Sequence, residues 1–242
     1  MISIFKKEIN GFFSSLIGYM SMGVFFLFLG LNLWVFPGNI FEGLYASLDP
    51  FFATAPWVLV FLIPAITMRT FADEFKSGTF ELLATKPISD YKIILGKYFA
   101  SLFLWLITWL PTIIYFFCVK SLSLKGATID LGATIGSYLG LFLLGAIFVA
   151  IGIFASSLTN NQITAFLLGV FLCYVLYDAF FQLSQLPFLN SSIDYFIQSI
   201  GIGDHYESIS RGVIDTRDLV YFITVIGFFI ISTNTVLESR KW

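Results

Sequence analysis

The stretch RTFADEFKSGTFELLATKPISDYKIILGK, residues 69–97, is a polar island between two long apolar runs. It holds five of the 13 Lys and Arg residues (Arg69, Lys76, Lys86, Lys92, Lys97) and four of the 15 Asp and Glu residues (Asp73, Glu74, Glu81, Asp90). Its punctuation describes a folded connection. Gly78 suits the end of a helix leaving the first apolar run, because helices commonly stop on a left-handed residue that glycine adopts without strain. Thr79 is placed to cap the next helix. That helix is short, 80–86, since Pro87 cannot extend it and pushes Lys86 toward extended geometry. Ser89 or Asp90 then caps the helix that enters the second apolar run.

The remainder is built for lipid. Of 242 residues, 58% are hydrophobic and 12% charged, against about 25% charged in a soluble domain, so the chain reads as an integral membrane protein. Its charge-free runs cover 9–41, 50–68, 98–119, 131–177, 179–193 and 219–237. A span takes about 20 residues, so the 47-residue run 131–177, with a polar cluster from Ser156 to Gln162, holds two spans joined by a tight turn. The expectation is an all-α single domain over 1–242, with six spans at about 17–36, 53–70, 98–119, 133–156, 163–181 and 219–237. Ahead of them, Ile2, Phe5, Ile9, Phe12 and Leu16 recur on one side of a helix and Lys6, Lys7, Asn10 and Ser14 on the other, the pattern of a helix lying along the membrane surface.

Charge sets the orientation. With both termini on one side, that side carries Lys6, Lys7, Arg69, Lys76, Lys86, Lys92, Lys97, Arg240 and Lys241, while Lys120, Lys125, Arg211 and Arg217 fall on the other. The excess of positive residues belongs inside, so both ends are expected in the cytoplasm. No basic run is long enough to track a phosphate backbone, which argues against nucleic acid as a partner.

Convergent chemistry is scarce. A single histidine, His205, excludes a site built on two imidazoles, and Cys118 and Cys173 lie in apolar runs, where a thiol behaves as a small hydrophobe. Gly96-Lys97 is followed by Tyr98 and lacks the rest of a phosphate-binding loop, so the chain has no such loop for ATP. Asp178 is the one ionisable residue inside an expected span; its place near the outer end favours contact with interfacial water or a loop backbone donor. Gly136 and Gly140 let another helix approach closely, read as packing within the chain. Between 182 and 218 short outer helices are expected, one opened by a capping box from Asp204 to Glu207 and closed by Arg211-Gly212, with Asp215 opening the last span.

The ordered run Asp73-Glu74, Gly78-Thr79, Glu81, Leu82-Leu83, Pro87-Ile88-Ser89 and Gly96-Lys97 resembles the loop between the second and third spans of ABC-2 type transport permeases, although by composition alone it also reads as a solvated loop of mixed charge. The resemblance implies that 80–86 is a coupling helix. Asp73, Glu74, Gly78, Thr79, Phe80, Glu81, Leu82, Leu83 and Pro87 would then serve the contact with a separate ATP-binding cassette subunit, which holds ATP and Mg. It also implies two permease halves, identical or different, in a bacterial cytoplasmic membrane, forming an exporter rather than an enzyme. A second run, from His205 to Phe222 and including Glu207, Arg211, Gly212 and Asp215, is similar to permeases associated with gliding motility and to their relatives in copper-site maturation of nitrous oxide reductase. That similarity adds an auxiliary membrane subunit as a possible partner. Two other readings stand beside it: a membrane-embedded enzyme centred on Asp178, His205 and Glu207, and a non-transporting scaffold of a surface machine.

Overall fold

The computed structural model describes residues 1–42, 47–84, 88–123, 129–186, 191–213 and 215–240, and every regular element among them is helical. The chain opens with α1 (Ile2–Phe13) and α2 (Leu16–Trp34), followed by α3 (Asp49–Thr67), α4 (Arg69–Lys76) and α5 (Thr79–Ala84). After α6 (Asp90–Trp109), a 3-10 turn (Leu110–Thr112) leads into α7 (Ile113–Leu122), and α8 (Leu131–Leu158) and α9 (Gln162–Tyr174) follow. A π turn (Val175–Ala179) joins α9 to α10 (Phe180–Ser184); α11 (Ser191–Gln198), α12 (Ile202–Ser210) and α13 (Thr216–Ser239) complete the order.

Among the described residues, five helical stretches are long and apolar enough to cross a membrane: Asp49–Lys76, Asp90–Leu122, Leu131–Leu158, Gln162–Ser184 and Thr216–Ser239. The pair formed by α1 and residues 18–34, bent by 67°, makes up to a sixth. The long helices overrun the expected spans, most at the third, which begins at Asp90 rather than at residue 98. Pro111 sits where that stretch narrows to a 3-10 turn. A proline there removes a donor, and the neighbouring Thr112 carbonyl is satisfied from outside by the Tyr138 hydroxyl at 2.9 Å.

The bundle is arranged around α8, which is buried along most of its length and packs on α3, α4, α6, α9, α12 and α13. Its glycines set how closely each neighbour comes. A Cβ at Gly136 would lie 2.6 Å from the Ile209 carbonyl and 2.8 Å from the Gly212 Cα, so α12 rests on bare backbone there. Gly140 faces Tyr206 and Ile209, Gly145 the indole of Trp105, and Gly152 the hydroxyl of Thr67. The Gly136–Gly140 pair therefore packs within the chain.

Contacts define two ends of the bundle. At the end carrying α1 and the last turn of α13, called basal here, Arg240 donates to Asn160 at 2.9 Å and lies over the ring of Phe75, while Arg69 donates to Ser15 at 2.8 Å. At the distal end, the Tyr206 hydroxyl donates to the Phe52 carbonyl at 2.9 Å and Ser137 to the Ser210 carbonyl at 3.0 Å. Helix ends follow several of the expected signals. Gly78 has φ +68 and Gly212 φ +86, the left-handed conformation that stops a helix. Asp215 caps α13 by accepting from the Arg217 amide at 2.9 Å. The capping box at Asp204 is not formed: α12 already begins at Ile202, and the Asp204 carboxylate accepts instead from the Gln198 side chain at 2.9 Å. Thr79 likewise turns its hydroxyl back toward Ser77, 2.9 Å away. Ser89 occupies the N-cap position of α6 without a side-chain cap bond.

The basal and distal ends can be assigned to sides of the membrane by labelling. Single cysteines at Ser77 and Val213, both exposed, are expected to react with an impermeant thiol reagent from opposite sides of sealed vesicles, in a background lacking Cys118 and Cys173. Labelling of both from one side would exclude this arrangement. Val213 is the better distal site because Ser208 is engaged by Asp218 at 2.7 Å.

Candidate functional site

The polar island folds into a basal junction. α4 continues the line of α3, and its Glu74 is buried. Lys97, about two turns into α6, has no exposure at all. Its ammonium lies 2.7 Å from Glu8 Oε1 and 3.0 Å from Glu74 Oε2, donates to the Thr70 carbonyl, and sits 4.8 Å from the centre of the Phe71 ring. The Glu74 contact is an ion pair without good hydrogen-bond direction, since Oε2 has no hydrogen-bond partner. The other Glu74 oxygen accepts from Lys7 at 2.5 Å. Burial acts to lower the Lys7 ammonium, but the Glu74 hydrogen bond and the charges of Glu74 and Glu8 outweigh it and hold it above the ordinary lysine value. Asp73 accepts from the Gln162 side chain at the start of α9. Two lysines and two glutamates from α1, α4 and α6 thus form a charge-balanced network beside a small cleft lined by Arg69, Asp73 and Ser15.

By sequence the third span begins at Tyr98 because Lys97 is charged; the charge is tolerated inside because two carboxylates and a carbonyl meet it. Asp178 is accordingly not the one ionisable group in the long helices, as Lys97 in α6 and Asp218 in α13 are both buried. Removing one partner of a buried pair typically costs about 3–5 kcal/mol.

Beyond Gly78, α5 folds back on α4. The Phe80 ring packs edge-on against Phe75 at 4.9 Å and Phe71 at 6.2 Å and is buried. Phe80 therefore holds α5 to its own chain rather than facing outward, whereas Lys76, Ser77, Gly78, Thr79 and Glu81 are exposed. The side chains of Leu82 and Leu83, and residues 85–87 with Lys86 and Pro87, lie outside the described residues.

A family model described as ABC-2 family transporter protein matches residues 2–237. The chain belongs to the ABC-2 transporter family. A comparison with curated proteins gave no match. The family assignment makes it a multi-pass membrane permease of an ABC transporter, a class whose ATPase is a partner subunit.

The distal end of this ABC-2 permease separates the residues of the enzyme reading. Asp178 and Glu207 line a cleft of about 550 Å3 with Asp49, Asp204, Trp57 and Tyr177. His205 is turned elsewhere: Nδ1 is 2.7 Å from Asp218, Nε2 is 3.0 Å from the Ser199 carbonyl, and the ring stacks on Tyr221 at 3.8 Å. Asp178 falls within the π turn, a feature that sequence reading missed, and accepts from Gln182 at 3.3 Å, a side chain of its own helix rather than a loop donor. π turns widen a helix and recur at functional sites; here the Tyr177 carbonyl faces Gly203, where a Cβ would come within 2.6 Å. Arg211, Gly212 and Asp215 occupy helix ends, and Glu207 makes an exposed contact with Arg211 at 3.5 Å.

The two ionisable positions are expected to separate in thermal unfolding of the detergent-purified protein. Lys97→Met should lose about 3–5 kcal/mol by leaving Glu8 unpaired and Glu74 with Lys7 alone. Asp178→Asn, at a half-buried and weakly bonded site, should stay within about 0.5 kcal/mol. Equal effects would show that the basal charges are not a buried network.

Proposed function

We propose that this protein is the membrane half of an ABC exporter and that α5, presented at the basal end, receives the motion of a separate ATP-binding cassette subunit. The family match over residues 2–237 carries this reading. It is supported by the geometry of the island, in which α4 extends a long apolar helix, turns at Gly78, and offers an exposed edge at Lys76, Ser77, Thr79 and Glu81. ATP and Mg are held by the partner. Two permease halves, identical or different, enclose the path, and the termini and α5 face the cytoplasm of a bacterial inner membrane, in line with the excess of Lys and Arg at that end. The similarity of the 205–222 run to gliding-motility permeases favours that setting, with an auxiliary membrane subunit as a further partner.

Partner binding tests the reading. Replacing residues 80–86 with a Gly-Ser linker is expected to abolish co-purification of the ATP-binding subunit while the spans still insert. Among single changes, Leu83→Ala should weaken binding more than Glu81→Gln, because deleting a buried leucine typically costs about 2–5 kcal/mol and an exposed ion pair is worth about 0–1. Retention of the ATP-binding subunit at wild-type level by the linker variant would remove α5 from the contact.

A further inference from the structure

The basal network joins more than α4 and α6. Glu8 and Lys7 belong to α1, so one buried ammonium and its carboxylates bind the lead-in helix to both walls of the island. Apolar packing already seats α1: Ile4 is buried against α6, where a Cβ at Gly96 would lie 3.3 Å from it. Ion pairs add something that apolar contact does not. Apolar contact is non-directional and allows helices to slide, whereas charges in a low-dielectric interior resist separation strongly. The position of Lys97 is specified at once from α1, through Glu8, and from α4, through Glu74 and the Thr70 carbonyl.

At its other end α4 is tied to α5 by the Phe71, Phe75 and Phe80 rings. α1 in turn leads into α2 through a 67° bend. An unbroken chain of fixed contacts thus runs from α5 through α4 and Lys97 to α1 and the bend.

We propose that Lys97 is a positioning residue that locks α1 to α4, so that a displacement delivered at α5 carries α1 with it and enters the first membrane helix as well as the helices continuous with the island. The proposal rests on the reading of α5 as the coupling element. It gives Glu74 an internal duty in place of a contact with the ATPase.

The test uses the complete permease with the ATP-binding subunit that co-purifies with it, in nanodiscs, with Cys118 and Cys173 replaced. Spin labels at Lys6 in α1 and Ser77 after α4 report the lock, and labels at Ser77 and Val213 report basal movement against the distal end. Vanadate trapping is expected to change the 77–213 distance and to leave the 6–77 distance within about 2 Å, the scale of small helix shifts. In the variant Glu8→Gln/Glu74→Gln/Lys97→Met, which leaves only the exposed Lys7 charged, the 6–77 distance should change on trapping, and stimulation of ATP hydrolysis should fall by about tenfold, an ordinary coupling factor.

A 6–77 distance that changes in the wild type, or a folded variant that behaves as the wild type does, would overturn the lock while leaving the coupling reading intact. A 77–213 distance unmoved by trapping would overturn it too. If the variant does not fold, the wild-type distances decide. Loss of the ATP-binding subunit from the wild-type permease would instead remove the coupling reading, and the lock with it.

Discussion

Between helices in lipid the hydrophobic effect supplies little attraction, so association depends on van der Waals contact at short range and on hydrogen bonds. α8 meets that constraint with bare backbone. Gly136 and Gly140 receive α12, Gly145 receives Trp105 of α6, and Gly152 receives Thr67 of α3. The three places accommodate different partners, so enlarging the glycine at each would displace a different helix. Hydrogen bonds complete the fit: Ser156 of α8 accepts from the Phe71 and Ala72 amides at 3.0 and 3.1 Å and donates to the Met68 carbonyl at 2.9 Å, where α3 passes into α4.

That anchorage places α4, and α4 places the charges. Glu74 is held toward α6, where Lys97 waits without access to water, and α1 supplies the remaining partners. Desolvating an isolated ion costs several kcal/mol even after relaxation. The balance of two lysines against two glutamates is what makes the network tolerable inside the protein. Arg69 and Asp73 stand at its edge and take their own partners, Ser15 and Gln162.

The two ends of the molecule differ in construction. The basal end is joined by ionic and aromatic contacts between elements far apart in sequence, and the turn after α4 keeps an exposed edge at Lys76, Ser77 and Thr79. The distal end is built of short helices, docked through Tyr206 and Ser137 and fastened to α13 by His205, Ser208 and Asp218. Its polar cleft is lined by four carboxylates and by Trp57 and Tyr177.

Much of this was legible in the residues. Long charge-free runs imply lipid-spanning helices because backbone groups must bond internally there. Gly78, Gly212 and Asp215 marked helix ends because those signals act within a single turn. The island itself, with its glycine and proline, was visible as a folded connection between two apolar runs. Its interior was not. Nothing in the local sequence distinguishes an exposed Glu74 from a buried one, or shows that Lys97 lies within a helix core, because that depends on α4 and α6 being brought together with partners at residues 7 and 8. Phe80 reads equally well as an outward docking residue until Phe71 and Phe75 are seen beneath it. The π turn at Asp178 has no local signature either. Sequence by itself determined the helices, several of their ends and the family, since these rest on short-range chemistry. Only the tertiary structure decided which charges face each other and which way the rings turn, since that depends on helices brought together across the bundle.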